Sequence, residues 1–162
     1  MKILVVCQHY WPEPYPLPDI CEELVRRGHS VDLITDVPNY PMGITYPNYK
    51  NGQRRKEKHN GVHITRVFTI ARRHNAVFRL LNYYSFMLSS TWYAKHLKEE
   101  YDVVFTNQTS PVMMSNAAFA YAKKYHKKVV MYCMDLWPAC LAAGGIAEGS
   151  LIYKFFGWES KR

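Results

Sequence analysis

The chain has 162 residues, of which 48% are hydrophobic and 15% aromatic, so it can bury a core as one domain and is not disordered. Lysine and arginine outnumber aspartate and glutamate by 21 to 13, which gives a formal net charge of +8. No window holds the roughly 20 largely uncharged apolar residues that a membrane-spanning helix needs. The apolar run at the start ends at Cys7, shorter than the apolar segment of about 7 to 15 residues in a signal peptide, so we expect no export.

The apolar pattern along the chain predicts the order of its elements. Unbroken apolar runs of strand length are typical of strands buried on both faces, and longer stretches with a repeat of three to four residues are typical of helices. In chain order, the pattern predicts a strand at 2–7, a helix at 19–30, a strand at 31–35, a long irregular loop at 36–60, a strand at 62–68, a helix at 75–97, a strand at 101–106, a helix at 111–125, a strand at 127–133 and short helices beyond. This alternation predicts an α/β fold: one Rossmann-like domain with a doubly wound parallel sheet and helices on both faces.

The first helix carries signals at both ends. Glu22 and Glu23 are expected in its first turn and Arg26 and Arg27 in its last, where their charges complement the helix dipole. Gly28 then stands where a C-terminal cap favours a left-handed residue.

The cysteines indicate a reduced cytosolic interior, because no two of them form a CxxC pair. Two of them, Cys7 and Cys133, fall in apolar runs, where we expect each thiol to pack as a small hydrophobic group. The others are Cys21 and Cys140.

The loops that follow the strands are the predicted site, since ligands of open α/β sheets bind beyond the carboxyl ends of the strands. The loop "QHYWPEPYPLPD" has no Gly-x-Gly-x-x-Gly and is stiffened by prolines. The loop "DVPNYPMGITYPNYKNG" is rich in tyrosines and amides, which suit sugars or simply form turns. The loop "TNQTSP" leads into a helix N-terminus, and "MDLWPAC" follows the last strand. The candidates for substrate contact in these loops are Tyr10, Glu13, Tyr15, Asn39, Tyr40, Asn107, Gln108, Thr109, Ser110 and Trp137.

Asp135 is the catalytic candidate, because it is the one carboxylate at the tip of the apolar segment "MYCMDLWPACLAAGG". Its carboxylate either accepts a hydrogen bond from a substrate hydroxyl or caps the following helix, and the two roles are compatible. We expect Trp137 chiefly to pack and fix this loop, and Pro138 to stand at the helix entry.

The long helix has a narrow polar stripe on an otherwise apolar surface. The stripe consists of Arg79, Asn82, Ser85 and Ser89. A helix of this composition is either sandwiched between the sheet and a neighbouring helix or lies on anionic lipid with its apolar side, aided by the arginines near its start.

Positive charge is concentrated between residues 37 and 98, which hold eleven lysines and arginines against one acid, a local net charge of +10. Such a region favours an anionic partner or forms a solvated basic face. Nucleic acid is not expected as the partner, because no recognised reading module is present. A metal site is not expected either, because the seven histidines lack ligand spacing.

Several segments carry a resemblance to a known family. In order, they read "YWPEPYPLPDICEELVRRGHSVDLIT", "PNYPMGITYPNY", "NGVHITRV", "RLLNYYSFMLSS", "YDVVFTNQTSPVMM" and "MDLWPACLAAGGI". Together they resemble the N-terminal domain of retaining GT-B glycosyltransferases of family 4, of the type that builds bacterial capsule and exopolysaccharide. Two positions depart from the family pattern: a Gly-Gly pair is replaced by Tyr15 and Pro16, and a histidine by Met134.

The resemblance implies that residues 1–162 are the acceptor-side domain of a hexosyltransferase-type enzyme. Its nucleotide-sugar would be held by a C-terminal donor-binding domain that this chain lacks, so we expect the chain alone to be inactive. Family members act on polyprenyl-diphosphate-linked acceptors at the inner face of the plasma membrane, which implies a cytoplasmic, peripheral protein at an anionic leaflet. The resemblance implies neither a cofactor nor a metal, and the leaving diphosphate, rather than a protein base, takes the acceptor proton.

A non-catalytic role is the alternative. A lone N-terminal half could dock at the membrane and recruit a separate donor-binding chain, as split glycosyltransferases do. The coding sequence after Arg162 distinguishes the two, because an in-frame or adjacent domain with an E-x7-E motif would indicate an enzyme.

Overall fold

The computed structural model describes residues 1–109 and 111–160. Its strands are β1 (Lys2–Val6), β2 (Ser30–Thr35), β3 (Lys56–His59), β4 (Val62–Arg66), β5 (Val103–Gln108) and β6 (Lys128–Cys133). Its α-helices are α1 (Leu17–Arg26), α2 (Ala76–His96), α3 (Asn116–Tyr125), α4 (Ala139–Ala143) and α5 (Leu151–Glu159). The strands form one sheet in the order β3-β4-β2-β1-β5-β6, in which only the β3–β4 pair is antiparallel. The prediction of a Rossmann-like α/β domain with a parallel sheet is confirmed, and the structure adds one antiparallel strand at the edge.

Alternate residues of β1 enter two separate cores, one on each face of the sheet. Leu4 and Val6 belong to a core that also contains Phe86 of α2. Ile3 and Val5 belong to the other core, which contains Leu17 of α1. Burial on both faces explains why this strand is apolar without alternation.

The central position of β1 creates the crevice of the fold. This strand pairs with β2 on one side and β5 on the other, so the order of strands reverses between β1 and β5. The loops that follow β1 and β5 leave the sheet in opposite directions at that point, and ligands of doubly wound sheets bind in the crevice between them.

The segment 36–60, predicted as one irregular loop, contains ordered structure. A 3₁₀ turn spans Pro47–Gly52, and β3 pairs antiparallel with β4 at the edge of the sheet. The apolar pattern does not predict β3, because every side chain in its sequence, "KEKH", is polar. Charged residues are typical of edge strands, where they discourage pairing with other chains.

Two helix starts differ from the prediction. Helix α1 begins at Leu17 with a proline in its first turn, so Asp19 occupies that turn and Glu22 and Glu23 lie further along. Gly28 has φ +84°, which confirms the predicted left-handed residue after this helix. The predicted helix at 111–125 begins as a 3₁₀ turn, and α3 proper follows it.

Three members of the polar stripe of α2 contact the protein, whereas Arg79 is exposed to solvent. Asn82 and Ser85 hydrogen-bond the backbone of Ile70 at 2.7 and 3.0 Å, and Ser89 donates to the Phe68 carbonyl at 2.6 Å. These side chains fix the segment that runs from β4 into α2. The opposite face of the helix is left exposed and apolar, so the helix is not sandwiched on both sides.

That exposed face carries large side chains at helical spacing. Its members are Val77, Leu80, Leu81, Tyr84, Leu88 and Trp92, which are 37% to 65% exposed. We call these six residues the apolar stripe of α2. Among the described residues, no helix is both long and apolar enough to cross a bilayer.

The edge strand β6 is more exposed than its apolar sequence suggests. Val130 is 51% and Tyr132 41% exposed, and Cys133 is exposed as well. The expectation that Cys133 packs as a buried thiol was therefore wrong, whereas Cys7 is buried as predicted. The difference arises because β6 pairs with β5 alone, while β1 lies at the centre of the sheet.

Candidate binding site at the carboxyl edge of the sheet

Glu13 joins the loop after β1 to the loop after β2. Its Oε1 accepts hydrogen bonds from the backbone N–H groups of Asn39 at 2.7 Å and Tyr40 at 2.6 Å. Its Oε2 lies 2.8 Å from Nδ1 of His9, and the side chain of Glu13 is fully buried. A buried carboxylate with three polar partners is a strong anchor, because hydrogen bonds to a charged group are roughly twice as strong as neutral ones.

Three aromatic rings cluster near the Glu13 carboxylate. His9 stacks on Tyr15 with ring centroids 4.9 Å apart and an angle of 11° between the planes. Tyr40 lies 5.5 Å from His9 and 5.4 Å from Tyr15. The guanidinium of Arg72 lies 5.9 Å from the Tyr40 ring. Burial raises the pKa of Tyr15 above its usual value of 10, so its phenol remains a hydrogen-bond donor at neutral pH.

Asp36, at the end of β2, lies beside the same anchor. Its Oδ2 accepts from the Asn39 side-chain amide at 3.1 Å and lies 3.8 Å from His9 Nδ1. Burial, and then the charge of Glu13, raises the pKa of Asp36 well above 3.8, while Asn39 and Arg66 oppose the shift. The Asn39 amide also donates to the Val37 carbonyl at 2.8 Å, so it holds the loop in shape.

A second group lies at the ends of β5 and β6. Gln108 donates through its side-chain Nε2 to the backbone carbonyl of Asp135 at 3.1 Å, and the backbone carbonyl of Gln108 accepts from Met134 N–H at 2.9 Å. Asn107 donates to the Tyr132 carbonyl at 3.4 Å, so both amides tie the two strand ends together. Asp135 is half-buried. A cleft of about 510 Å³ opens beside this group, and its lining includes Gln108, Cys133 and Trp137.

The remaining predicted site residues have different positions. Tyr10 is 1% exposed and packs in the core with Leu17 and Cys21. Trp137 packs edge-on against Phe156 of α5 with centroids 4.7 Å apart, which fixes the loop that carries Asp135. Thr109 is half-buried just beyond β5. Ser110 lies outside the described residues.

The position of Asp135 relative to α4 bears on its capping role. Helix α4 begins at Ala139, and Pro138 occupies its N-cap position. Asp135 lies ahead of that position, in the bend that leaves β6. Pro138 therefore stands at the helix entry, as the sequence indicates.

The structure thus brings Glu13, Tyr15, Asn39 and Tyr40 into one cluster and Gln108 and Asp135 into another. Sequence reasoning missed His9, Asp36 and Arg72 in the first cluster. His9 and Asp36 could have been suspected, because they lie two residues and one residue after the ends of predicted strands. Stacked aromatic faces beside amides and a cation form a surface suited to a sugar or another polar ring.

Comparison with solved structures identifies what the fold resembles. The chain is similar to CalG4, the calicheamicin glycosyltransferase, with a TM-score of 0.56 and 12% identity over 94% of this chain and 40% of that one. It is also similar to the glycotransferase of kitacinnamycin, with a TM-score of 0.50 and 13% identity over 88% of this chain and 32% of that one. The chain shares its Rossmann-like α/β fold with part of each of these glycosyltransferases.

The same fold also occurs outside glycosyltransferases. The C-terminal domain of PF1911 hydrogenase from Pyrococcus furiosus matches with a TM-score of 0.51 and 17% identity, over 81% of this chain and 90% of that domain. No protein-family model matches the chain, and no curated protein does. The chain spans well under half the length of the two glycosyltransferases, and identities this low show the shared fold alone.

Proposed function

We propose that the chain is the acceptor-side domain of a retaining glycosyltransferase. The enzyme transfers a sugar from a nucleotide-sugar to a polyprenyl-diphosphate-linked acceptor in the synthesis of a cell-surface polysaccharide. The observation that carries this proposal is the aromatic cluster of His9, Tyr15 and Tyr40, which stands next to the switch point of a glycosyltransferase-like sheet. Ligands of such sheets bind at this point.

The two clusters have different roles in the proposal. Tyr15 and Tyr40 offer ring faces and phenol groups to the acceptor sugar, and the buried bonds of Glu13 hold both rings in place. Asp135 accepts a hydrogen bond from a hydroxyl of the acceptor or of the donor sugar. The nucleotide-sugar enters on a second domain, its diphosphate takes the acceptor proton, and no protein base is needed.

The apolar stripe of α2 supports attachment to the inner face of the membrane. From Val77 to Trp92 the stripe follows one side of the helix for about 23 Å at 1.5 Å per residue. Arg73 and Arg79 lie at its start, and its far end borders a cleft of about 470 Å³ that is also lined by Arg55 and Lys56. Apolar side chains flanked by cations are typical of helices that lie on anionic lipid.

Vesicle co-sedimentation tests the attachment. We expect the chain to sediment with phosphatidylglycerol vesicles at low salt and to be released as salt rises. Leu88→Glu should weaken binding at least about fivefold, because it removes an apolar contact and adds repulsion from the anionic surface. Leu151→Glu is the matched control, since Leu151 is an exposed leucine on α5. Equal losses in the two variants would contradict the assignment to α2.

Nanodisc binding tests the acceptor. We expect tighter binding to nanodiscs that carry a polyprenyl-diphosphate-linked sugar than to nanodiscs with the polyprenyl phosphate alone. Tyr15→Ala should reduce this difference about tenfold, as expected for the loss of one stacked ring. Trp11→Ala is the control, because Trp11 belongs to the same loop but stacks on His59. No preference for the sugar-bearing lipid would refute the acceptor role.

A further inference from the structure

His9, Glu13 and Asp36 form a compact set of metal-ligating groups. One ligand atom from each residue lies within 4.8 Å of the other two, and all three residues are buried. The residues come from two loops, after β1 and after β2, which is why the spacing of histidines along the sequence gives no sign of them. Binding of an ion by this set would not depend on whether the chain takes part in sugar transfer.

The separations suit a small tetrahedral ion. Ligands at about 2.0–2.1 Å from Zn²⁺ are about 3.3 Å apart from one another when their arrangement is tetrahedral. His9 Nδ1 lies 2.8 Å from Glu13 Oε2 and 3.8 Å from Asp36 Oδ2, which brackets that value. The Glu13 and Asp36 oxygens lie within 4.8 Å of each other, so they would approach each other by up to about 1.5 Å to surround one ion with His9.

The polar contacts of the three ligand atoms are few. Glu13 Oε2 lies 2.8 Å from His9 Nδ1, and Asp36 Oδ2 accepts from the Asn39 side-chain amide at 3.1 Å. Glu13 Oε1 is occupied by two backbone N–H groups, so Oε2 is the atom turned to His9. Asp36 Oδ1 is buried and has no hydrogen-bond partner among the described residues. A buried carboxylate oxygen without a donor calls for a proton or a cation.

The distribution of buried charge also favours a bound cation. Two buried carboxylates face one imidazole. The guanidinium of Arg66 is directed to the Asp36 backbone carbonyl at 3.5 Å and to Glu57 at 2.5 Å. The Asp36 carboxylate therefore lacks a salt-bridge partner of its own among the described residues other than His9.

We propose that His9, Glu13 and Asp36 bind a divalent transition-metal ion of the Zn²⁺ class. One imidazole nitrogen and two carboxylate oxygens form a ligand set that suits Zn²⁺ better than Mg²⁺, which prefers oxygen ligands in an octahedron. Asn39 supports the site from behind, because it donates to Asp36 through its side chain and to Glu13 through its backbone. The bound ion joins the two loops and steadies Tyr15, whose ring stacks on His9.

Titration of the metal-free chain with Zn²⁺ at pH 7.5 tests the site. We expect one ion per chain and a preference over Mg²⁺ of at least about a hundredfold. Binding should weaken as pH falls, because the ion displaces protons from its ligands. Asp36→Asn and His9→Gln should each weaken binding at least about tenfold. His63→Gln and Cys133→Ser should leave it unchanged, since both residues are exposed.

A second measurement on the unmodified chain guards against variants that fail to fold. In amide NMR spectra, Zn²⁺ should shift the signals of residues 9, 13, 36, 39 and 40 and leave that of His63 in place. Binding weaker than about 1 mM would overturn the proposal. Binding that survives both ligand substitutions, or shifts confined to exposed histidines and cysteines, would overturn it as well.

Discussion

Substitution of Glu13 by alanine should destabilise the fold although the residue belongs to a loop. The change leaves the backbone N–H groups of Asn39 and Tyr40 without their acceptor. An unsatisfied buried donor costs about 1–3 kcal/mol, so two cost about 2–6 kcal/mol. Loss of the charge also relieves the repulsion of Asp36, which places the expected loss at about 2–4 kcal/mol.

Urea unfolding measures this loss. With a denaturant slope of about 2 kcal/mol per molar, the midpoint of Glu13→Ala should fall by about 1–2 M. Glu13→Gln keeps a carbonyl oxygen for the two N–H groups and should lose less than half as much. Glu148→Ala, which removes an exposed carboxylate, should stay within about 0.3 M of the unmodified chain. A midpoint for Glu13→Ala as high as that of the Glu148 control would refute the anchoring role.

Three further predictions concern the pH response, the backbone and the catalytic candidate. Because the pKa of Asp36 is raised by burial and by Glu13, the stability it contributes is fully present below about pH 4 and is lost as pH rises through the folded-state pKa. The melting temperature of the unmodified chain, relative to that of Asp36→Asn, should therefore fall between pH 4 and pH 8, and a constant difference would contradict the shift. Gly61→Ala should lower the melting temperature by about 4–8 °C, since Gly61 has φ +86° and an added Cβ would lie 2.5 Å from Val25 Cγ1. In an enzyme that contains this chain, Asp135→Asn should lower turnover about tenfold or more, because a hydrogen bond to a charged group is lost, and should change the melting temperature little. Unchanged turnover would contradict the catalytic role of Asp135. A large loss of stability would favour a structural role.

Much of the fold could be predicted because its central strands are buried on both faces. Residues 3–6 of β1 are apolar without interruption, and β2 and β5 each contain three apolar residues, a composition typical of strands that helices cover on both faces of a sheet. Strand β3 could not be predicted, because its four polar side chains stabilise an edge by pairing its backbone rather than by burial.

The periodicity of the sequence does not predict which face of α2 is buried. Asn82 and Ser85 resemble a solvent-facing stripe in the sequence, yet they bind the backbone of Ile70 inside the protein. A hydrogen-bonded polar side chain can face the interior as readily as an apolar one, and the pattern alone does not tell which of two faces is covered. The exposed apolar stripe follows from this arrangement.

The site could be predicted in part. The rule that strand-end loops meet at one edge led to Glu13, Tyr15, Asn39 and Tyr40, which the structure brings together. The place of His9 in the site depends partly on its contacts with Asp36 and Tyr40, which are distant along the chain, and no local pattern encodes such contacts.

Amide chemical-shift mapping would show whether the chain binds the proposed acceptor. A soluble short-chain polyprenyl-diphosphate-linked sugar would be titrated into the isotope-labelled chain. We predict saturable shifts in the loops after β1 and β2, centred on Tyr15 and Tyr40, and in the loop that carries Asp135. Shifts absent at millimolar ligand, or confined to the opposite edge of the sheet, would contradict the account.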